Sequence, residues 1–259
     1  MRTNLLSWAD GLKSMAVLVW AFAGISSAAS LEVNPVRVEL GTGARGVVVT
    51  VKNQSTEPTR FQASAHTWVQ DEEGRMTLAP TQEVFFFPAM LSLEPGESRL
   101  IRVGVSSAPQ DKERSFRLVV EELPPLEPAV SAMGLRILTR VSIPVFVAPK
   151  RKEILGRVEK IELRESKFRF QVANAGTVNF FIRQTRVRGL DAQGKRLVER
   201  EQPGWYVLAG DKQVFTLDVP ADMCGQVRSV EVEAETDRGV IHQSAPVTAS
   251  VPCEAAPQP

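Results

Sequence analysis

From Leu31 to His242 the apolar residues come in short runs in which every second position is β-branched or aromatic, and Gly, Pro, Asn and Asp separate the runs. A strand sends successive side chains to opposite faces, so this alternation buries one face and wets the other. No 3.6-residue helical repeat is evident after residue 30, and the chain is expected to be all-β. Val47, Val49 and Val51, then Ile101, Val103 and Val105, then Phe116, Leu118 and Val120 are the inward faces of three such runs and the expected core. Leu93, Glu94, Pro95 and Gly96 pair a preset φ with a permissive one, which predicts a tight reversal.

The runs of the first half are 32–40, 47–53, 60–69, 83–87, 99–105, 116–123 and 135–147, a number that suits an immunoglobulin-like sandwich. Pro149 followed by Lys150, Arg151 and Lys152 cannot sit in a core and marks an interdomain linker. Beyond it, runs at 158–163, 168–172, 179–187, 206–208, 214–219, 229–235 and 240–242 give a second sandwich. The expected organisation is a signal peptide over 1–29, domains over 30–149 and 150–253, and a polar, proline-rich, disordered tail over 254–259.

The signal peptide rests on Arg2 and Lys13, an apolar run from Met15 to Ile25, and the small residues Ser26 to Ser30, with cleavage near Ala29. The run is shorter than the roughly 20 residues a spanning helix needs, so a permanent membrane anchor is not expected. A bacterial periplasm is the expected compartment. The whole chain has a formal net charge of +1, and nothing in that balance would hold a phosphate backbone, which argues against a nucleic-acid partner. Cys224 and Cys253 can pair in an oxidising compartment, while two cysteines with His66 and His242 make a poor zinc set.

Gly41, Gly43 and Gly46 have the spacing of a dinucleotide fingerprint, but Val47, Val48 and Val49 continue as a strand and supply no helix N-terminus. A hairpin is expected there. Asn53, Gln54 and Ser55 match a glycosylation acceptor, and a turn explains them equally well. No nucleophile with a convergent base, no catalytic residue, no metal set and no cofactor motif stands out; Glu121 and Glu122 point to opposite faces of a strand.

The segment from Gly134 to Val147 is long for a strand. Leu135, Ile137, Thr139, Val141, Ile143, Val145 and Val147 form one nearly unbroken apolar row. That row can simply face its own core. Pro144, which has no N–H for a ladder, points instead to a sheet margin over part of the strand, where an apolar edge invites a second chain.

Several motifs then resemble one family, the periplasmic chaperones of pilus assembly. They are Leu78 to Thr81, Phe86-Phe87-Pro88, Leu93 to Ser98 with Ile101-Arg102-Val103, Phe116-Arg117-Leu118 with Glu121 to Pro125, and Ile143 to Pro149. Asn174 to Thr177 extends the similarity into the second half. The closing Pro144-Val145-Phe146 is more similar to the branch serving archaic, spore-coat-type pili.

The resemblance implies two immunoglobulin-like domains in an L and no enzyme activity. Leu135, Ile137, Thr139 and Val141 would fill the groove of an incomplete pilus subunit, and an outer-membrane usher would take the subunit over. A pair of cleft cations would hold the subunit's terminal carboxylate. Arg37 matches the first; the second falls on Pro144, which cannot serve, leaving Arg140 or Lys150 as substitutes. The free form could also cap its strand by self-association. Rival readings are a pilus subunit built on the same sandwich and a periplasmic hydrolase.

Overall fold

The computed structural model describes residues 31–41, 46–106, 108–126, 137–247 and Cys253. The first domain holds β1 (Leu31–Asn34), β2 (Val38–Leu40), β3 (Gly46–Asn53), β4 (Thr59–Gln70), β5 (Met76–Pro80), β6 (Val84–Phe87), β7 (Met90–Leu93), β8 (Ser98–Val105), β9 (Arg114–Glu122) and β10 (Arg140–Val147). One sheet runs β1-β3-β8-β6; the other runs β2-β10-β9-β4-β5, with β7 also on β4. Between them lies the core of Val49, Val51, Ile101, Val103, Phe116, Leu118 and Val120 with Phe61, Ile143 and Val145. Val47 is only partly buried against it.

The run expected as one strand over 32–40 is two strands in different sheets. Pro35 can donate no ladder hydrogen bond, so the chain leaves β1, which is antiparallel to β3, and β2 then runs parallel to β10. For the same reason the hairpin expected around Gly41 to Gly46 is corrected. β2 and β3 lie in opposite sheets and do not pair with each other, and residues 42–45 lie outside the described residues.

The reversal at Glu94 to Gly96 is present: Glu97 N donates to Glu94 O at 3.0 Å and Gly96 has φ of +77°. Asn53 belongs to the same knot. It is fully buried, its Nδ2 donates to the carbonyls of Glu57 and Leu93, and its Oδ1 accepts from Ser55 N, so the turn accounts for this Asn.

The second domain holds β11 (Gly156–Arg164), β12 (Lys167–Asn174), β13 (Phe180–Leu190), β14 (Arg196–Pro203), β15 (Tyr206–Val207), β16 (Lys212–Asp218), α1 (Ala221–Cys224), β17 (Ser229–Thr236) and β18 (Gly239–Pro246). Its sheets are β11-β12-β16 and β14-β13-β17-β18, with β15 also on β13. Phe168, Phe170, Phe180, Ile182, Phe215 and Val232 fill the space between them. Asn174 repeats the device of Asn53, donating to the carbonyls of Val178 and Val207 and accepting from Gly176 N. A Cβ on Gly176 would lie 2.3 Å from Glu153 O, which fixes glycine there.

Polar contacts at two places are among those that tie the domains together beside the linker. The β4–β5 turn reaches β16, where Glu72 O accepts from Val214 N at 2.7 Å and the Glu72 carboxylate meets Lys212 Nζ at 2.9 Å. Ahead of β9, Glu113 N donates to Thr177 O at 2.9 Å. The Glu113 carboxylate accepts from both the backbone N and Nδ2 of Asn179. Burial, the largest influence, holds the Glu113 carboxyl above its ordinary value of 4.5 despite these donors and Arg37.

Cys224 and Cys253 are disulfide-bonded and close a loop with a sequence separation of 29. The bond ties Cys253 to α1. Replacing both cysteines with serine should lower the unfolding free energy by about 3 kcal/mol, read as an earlier urea midpoint with unchanged far-ultraviolet circular dichroism. A second prediction concerns Glu113. A carboxyl whose pKa is higher folded than unfolded contributes stability below the unfolded value and loses it as pH rises through the folded value. Glu113→Gln removes that titration, so urea unfolding across mild acid to neutral pH should show the variant gaining on the wild type as pH rises.

Candidate functional site

β10 faces three environments. Its odd residues Ile143, Val145 and Val147 are buried in the first domain's own core, and Val141 is half-buried against it. Phe146, on the opposite face, packs with Trp68, Leu208 and Tyr206 between the domains. The third environment is its edge. β9 pairs along the whole strand from Arg140↔Glu121 to Val147↔Arg114, but β2 covers only Val145, Phe146 and Val147. Among the described residues, Arg140 to Pro144 therefore have a ladder partner on the β9 side alone. Pro144, which offers no N–H to that open side, sits where its chemistry does least harm.

The long strand expected from Leu135 is corrected at its start: β10 begins at Arg140, and Leu135 lies outside the described residues. Thr139 extends the pairing irregularly, its O accepting from Glu122 N at 2.8 Å and its N donating to Glu122 Oε2 at 3.3 Å. Ile137 is 76 % exposed, and Leu138 beside it is exposed as well. An isoleucine left that open next to an incomplete ladder is an apolar surface without a described cover.

Arg37 lies at the other end of β10, just before β2. Its guanidinium sits 4.6 Å from the Phe146 ring centre and 5.5 Å from that of Tyr206. Nη2 donates to Asn179 Oδ1 at 3.3 Å, Nε donates to Glu39 at 3.0 Å, and Asp237 lies 3.9 Å from Nη1. Asn179 is thus a hub between Glu113 and Arg37. The arginine side chain remains 23 % exposed at the junction of the domains, stacked on aromatic faces that orient it.

The aromatic floor continues beyond Arg37. Trp68 lies 5.8 Å from Phe146 and 5.4 Å edge-on from Tyr206; Trp205 and Phe181 extend the chain of rings on the second domain. Arg117 stacks on Trp68 with its guanidinium 3.7 Å from the ring centre. In the β9–β10 register Arg117 is the partner of Pro144. Such an arrangement can hold an extended chain along β10 and receive negative charge at its Arg37 end.

The two substitutes expected for a second cleft cation lie elsewhere. Arg140 faces Glu121 at 3.7 Å near the start of β10, six residues from Phe146 and so about 20 Å away along the strand. Lys150 pairs with Asp111 at 3.1 Å beside the linker. Sequence reasoning missed Arg117, Asn179, Glu113 and Asp237 as members of the cleft. Arg117 alone carried a signal, a cation alternating with the core residues Phe116 and Leu118.

Comparison with known proteins agrees with this architecture. Residues 30–153 match the family described as pili and flagellar-assembly chaperone, PapD N-terminal domain. No curated protein matches the chain in sequence. Among solved structures, a chain of the CsuC–CsuE chaperone-tip adhesion subunit pre-assembly complex, from archaic chaperone-usher Csu pili of Acinetobacter baumannii, aligns with a TM-score of 0.57 at 17% identity. The alignment covers 85% of this chain and 98% of that one. The class 5 fimbriae chaperone CfaA aligns at 0.55 and 14% identity, covering 83% and 98%. A chain of the Salmonella enterica SafA pilin complex with the SafB chaperone aligns at 0.53 and 17%, covering 83% and 96%. At these identities the structural likeness is one of fold. Residues 30–153 thus match the family of pili and flagellar-assembly chaperones, PapD N-terminal domain, and the chain shares its fold with these structures.

Proposed function

We propose that this protein is a periplasmic chaperone that binds a pilus subunit by adding the β10 edge to the subunit's incomplete sheet, and that it delivers the subunit to an outer-membrane usher. The observation that carries the reading is the half-covered edge of β10, with Ile137 exposed just before its start and the partly buried Arg37 at its end. Strand addition draws affinity from main-chain hydrogen bonds and specificity from alternate side chains, and this edge offers both. Leu135, Ile137, Thr139 and Val141 supply the alternate side chains, each buried Leu or Ile contributing roughly 1.5–3 kcal/mol. Arg37 receives the carboxylate that ends the subunit. The CsuC–CsuE and SafA–SafB structures are named as chaperone–subunit complexes, which supports a subunit as the partner.

The domain boundaries at 149/150 and 253/254, and the signal peptide over 1–29, belong to the same proposal. The pilus-subunit rival reads Leu31 onward as a segment to be donated to another chain. Against it, Leu31 to Asn34 pair with Asn53 to Thr50 in the first domain's own sheet.

The test is co-expression of the exported protein with secreted β-proteins encoded beside it, followed by purification. A one-to-one complex is expected with the wild type. Ile137→Asp and Leu135→Asp should each reduce its yield at least tenfold while the melting temperature of the free chaperone stays unchanged; equal yields would remove the strand from the mechanism. Arg37→Ala should weaken the complex, whose dissociation constant is read by calorimetry, by about 30-fold, the size expected for losing one partner of a desolvated charge pair. Wild-type affinity in that variant would remove Arg37 as the anchor.

A further inference from the structure

Arg37 is already engaged by acids of its own chain. Glu39 Oε1 accepts from Nε at 3.0 Å and lies 2.9 Å from Nη2. Nη2 also donates to Asn179 Oδ1 at 3.3 Å, and Nη1 faces Asp237 Oδ2 at 3.9 Å. Behind Asn179 lies Glu113, whose carboxyl is held above its ordinary value by burial and feels both Arg37 and Glu39. Arg238, 3.8 Å from Asp237, is the second cation of this group. Three carboxyl groups thus face two guanidiniums, and the positive charge of Arg37 is balanced before any partner arrives.

The three acids are not equally fixed. Asp237 Oδ1 accepts from Phe181 N at 2.8 Å, and Glu113 accepts from the backbone N and Nδ2 of Asn179. Glu39 has no such tie: among the described residues its carboxylate is bonded to Arg37 alone, and its side chain is 52 % exposed. It stands on β2 between the buried Val38 and Leu40 and is the ladder partner of Phe146, so its backbone is fixed and its side chain points to the cleft. The carboxylate itself can turn into water. Glu39 also meets the guanidinium with one oxygen for both contacts, whereas the fork of an arginine takes two parallel bonds from a carboxylate that presents both. An exposed pair of this kind shifts an equilibrium by no more than about fivefold, so a carboxylate carried in on a bound strand can replace it.

We infer that Glu39 is a built-in competitor for the anchor. In the free protein its carboxylate occupies the Nε and Nη2 edge of Arg37, and the terminal carboxylate of a subunit binds by displacing it. Asn179 and Asp237 keep the guanidinium oriented during the exchange. The inference rests on the proposed function and adds to it a gate on the same site. Such a gate serves selectivity: a carboxylate without a strand meets the competitor and gains no ladder hydrogen bonds in return, while a chain that brings both overcomes it.

The probe is a synthetic peptide of the last residues of the co-purified subunit, made as the free acid and as the C-terminal amide and titrated by calorimetry into the full mature chaperone and its variants. Glu39→Gln and Glu39→Ala should each bind the acid about fivefold more tightly than the wild type does, and the amide with unchanged affinity. In an Arg37→Ala background the same changes should give no gain, because no guanidinium remains to be uncovered. Weaker acid binding by both variants overturns the inference, since Glu39 would then be a support that orients Arg37. Unchanged acid binding overturns it as well. A gain that persists in Arg37→Ala assigns the effect to general repulsion and likewise removes the gate. A wild type that binds acid and amide alike removes the carboxylate anchor, and the gate with it, while leaving strand addition standing. A wild type that forms no complex with any subunit removes the proposed function itself.

Discussion

Because the side chains of a strand alternate, one strand can be anchored on one face and active on the other, and β10 depends on this. Ile143, Val145 and Val147 root it in the first domain's core, where their burial holds the strand in place. That rooting leaves Phe146 free to close the junction with Trp68, Tyr206 and Leu208. A slip of one residue would drive Phe146 into the core and Val145 and Val147 into the cleft. The register that builds the sandwich is therefore the register that builds the interdomain site.

Beside that apolar cluster, the junction is held by a few polar contacts. Asn179 connects Glu113 on one side to Arg37 on the other, so the orientation of the exposed guanidinium depends on a residue 142 positions away in sequence. The Glu72 contact with Lys212 and Val214 fixes a second point. Two separated points of attachment resist rotation more effectively than one, and they keep the end of β10 and the second domain in a constant relation. Within each domain Asn53 and Asn174 play matching parts. Each is a buried amide that satisfies two carbonyls and one N–H, a pattern that stops turns from drifting because any other arrangement would leave those groups unpaired.

The core was the most legible part of the molecule. Val49, Val51, Ile101, Val103, Phe116 and Leu118 were readable because a half-buried strand writes its inner face into every second residue. β5 and β14 were not readable, since Met76 to Pro80 and Arg196 to Pro203 are largely exposed and carry little apolar alternation, while β7 alternates but is only four residues long. The four-residue helix α1 is too short to show a period at all. Pro35 was visible in the sequence, but that it would divide one run between two sheets follows from which strand each half meets. Arg37 came from a resemblance of motifs, whereas Arg117 entered only as part of the Phe116-Arg117-Leu118 motif, and its place opposite Pro144 follows from the β9–β10 register.

By itself the sequence determined an all-β chain of two sandwiches, the alternating faces that fill their cores, and a long apolar row in a run that also holds Pro144, a residue a central ladder would not tolerate. Those properties are local, fixed by backbone geometry and side-chain polarity over a few residues. Only the tertiary structure decided that β2 stops short of Arg140 to Pro144, leaving that edge half-covered, and that Arg37, Asn179, Asp237 and Arg117 meet around Phe146 and Trp68. Such meetings depend on strand register and on how two domains pack, which are set by the sum of contacts across the whole chain and leave no periodic trace in any one segment.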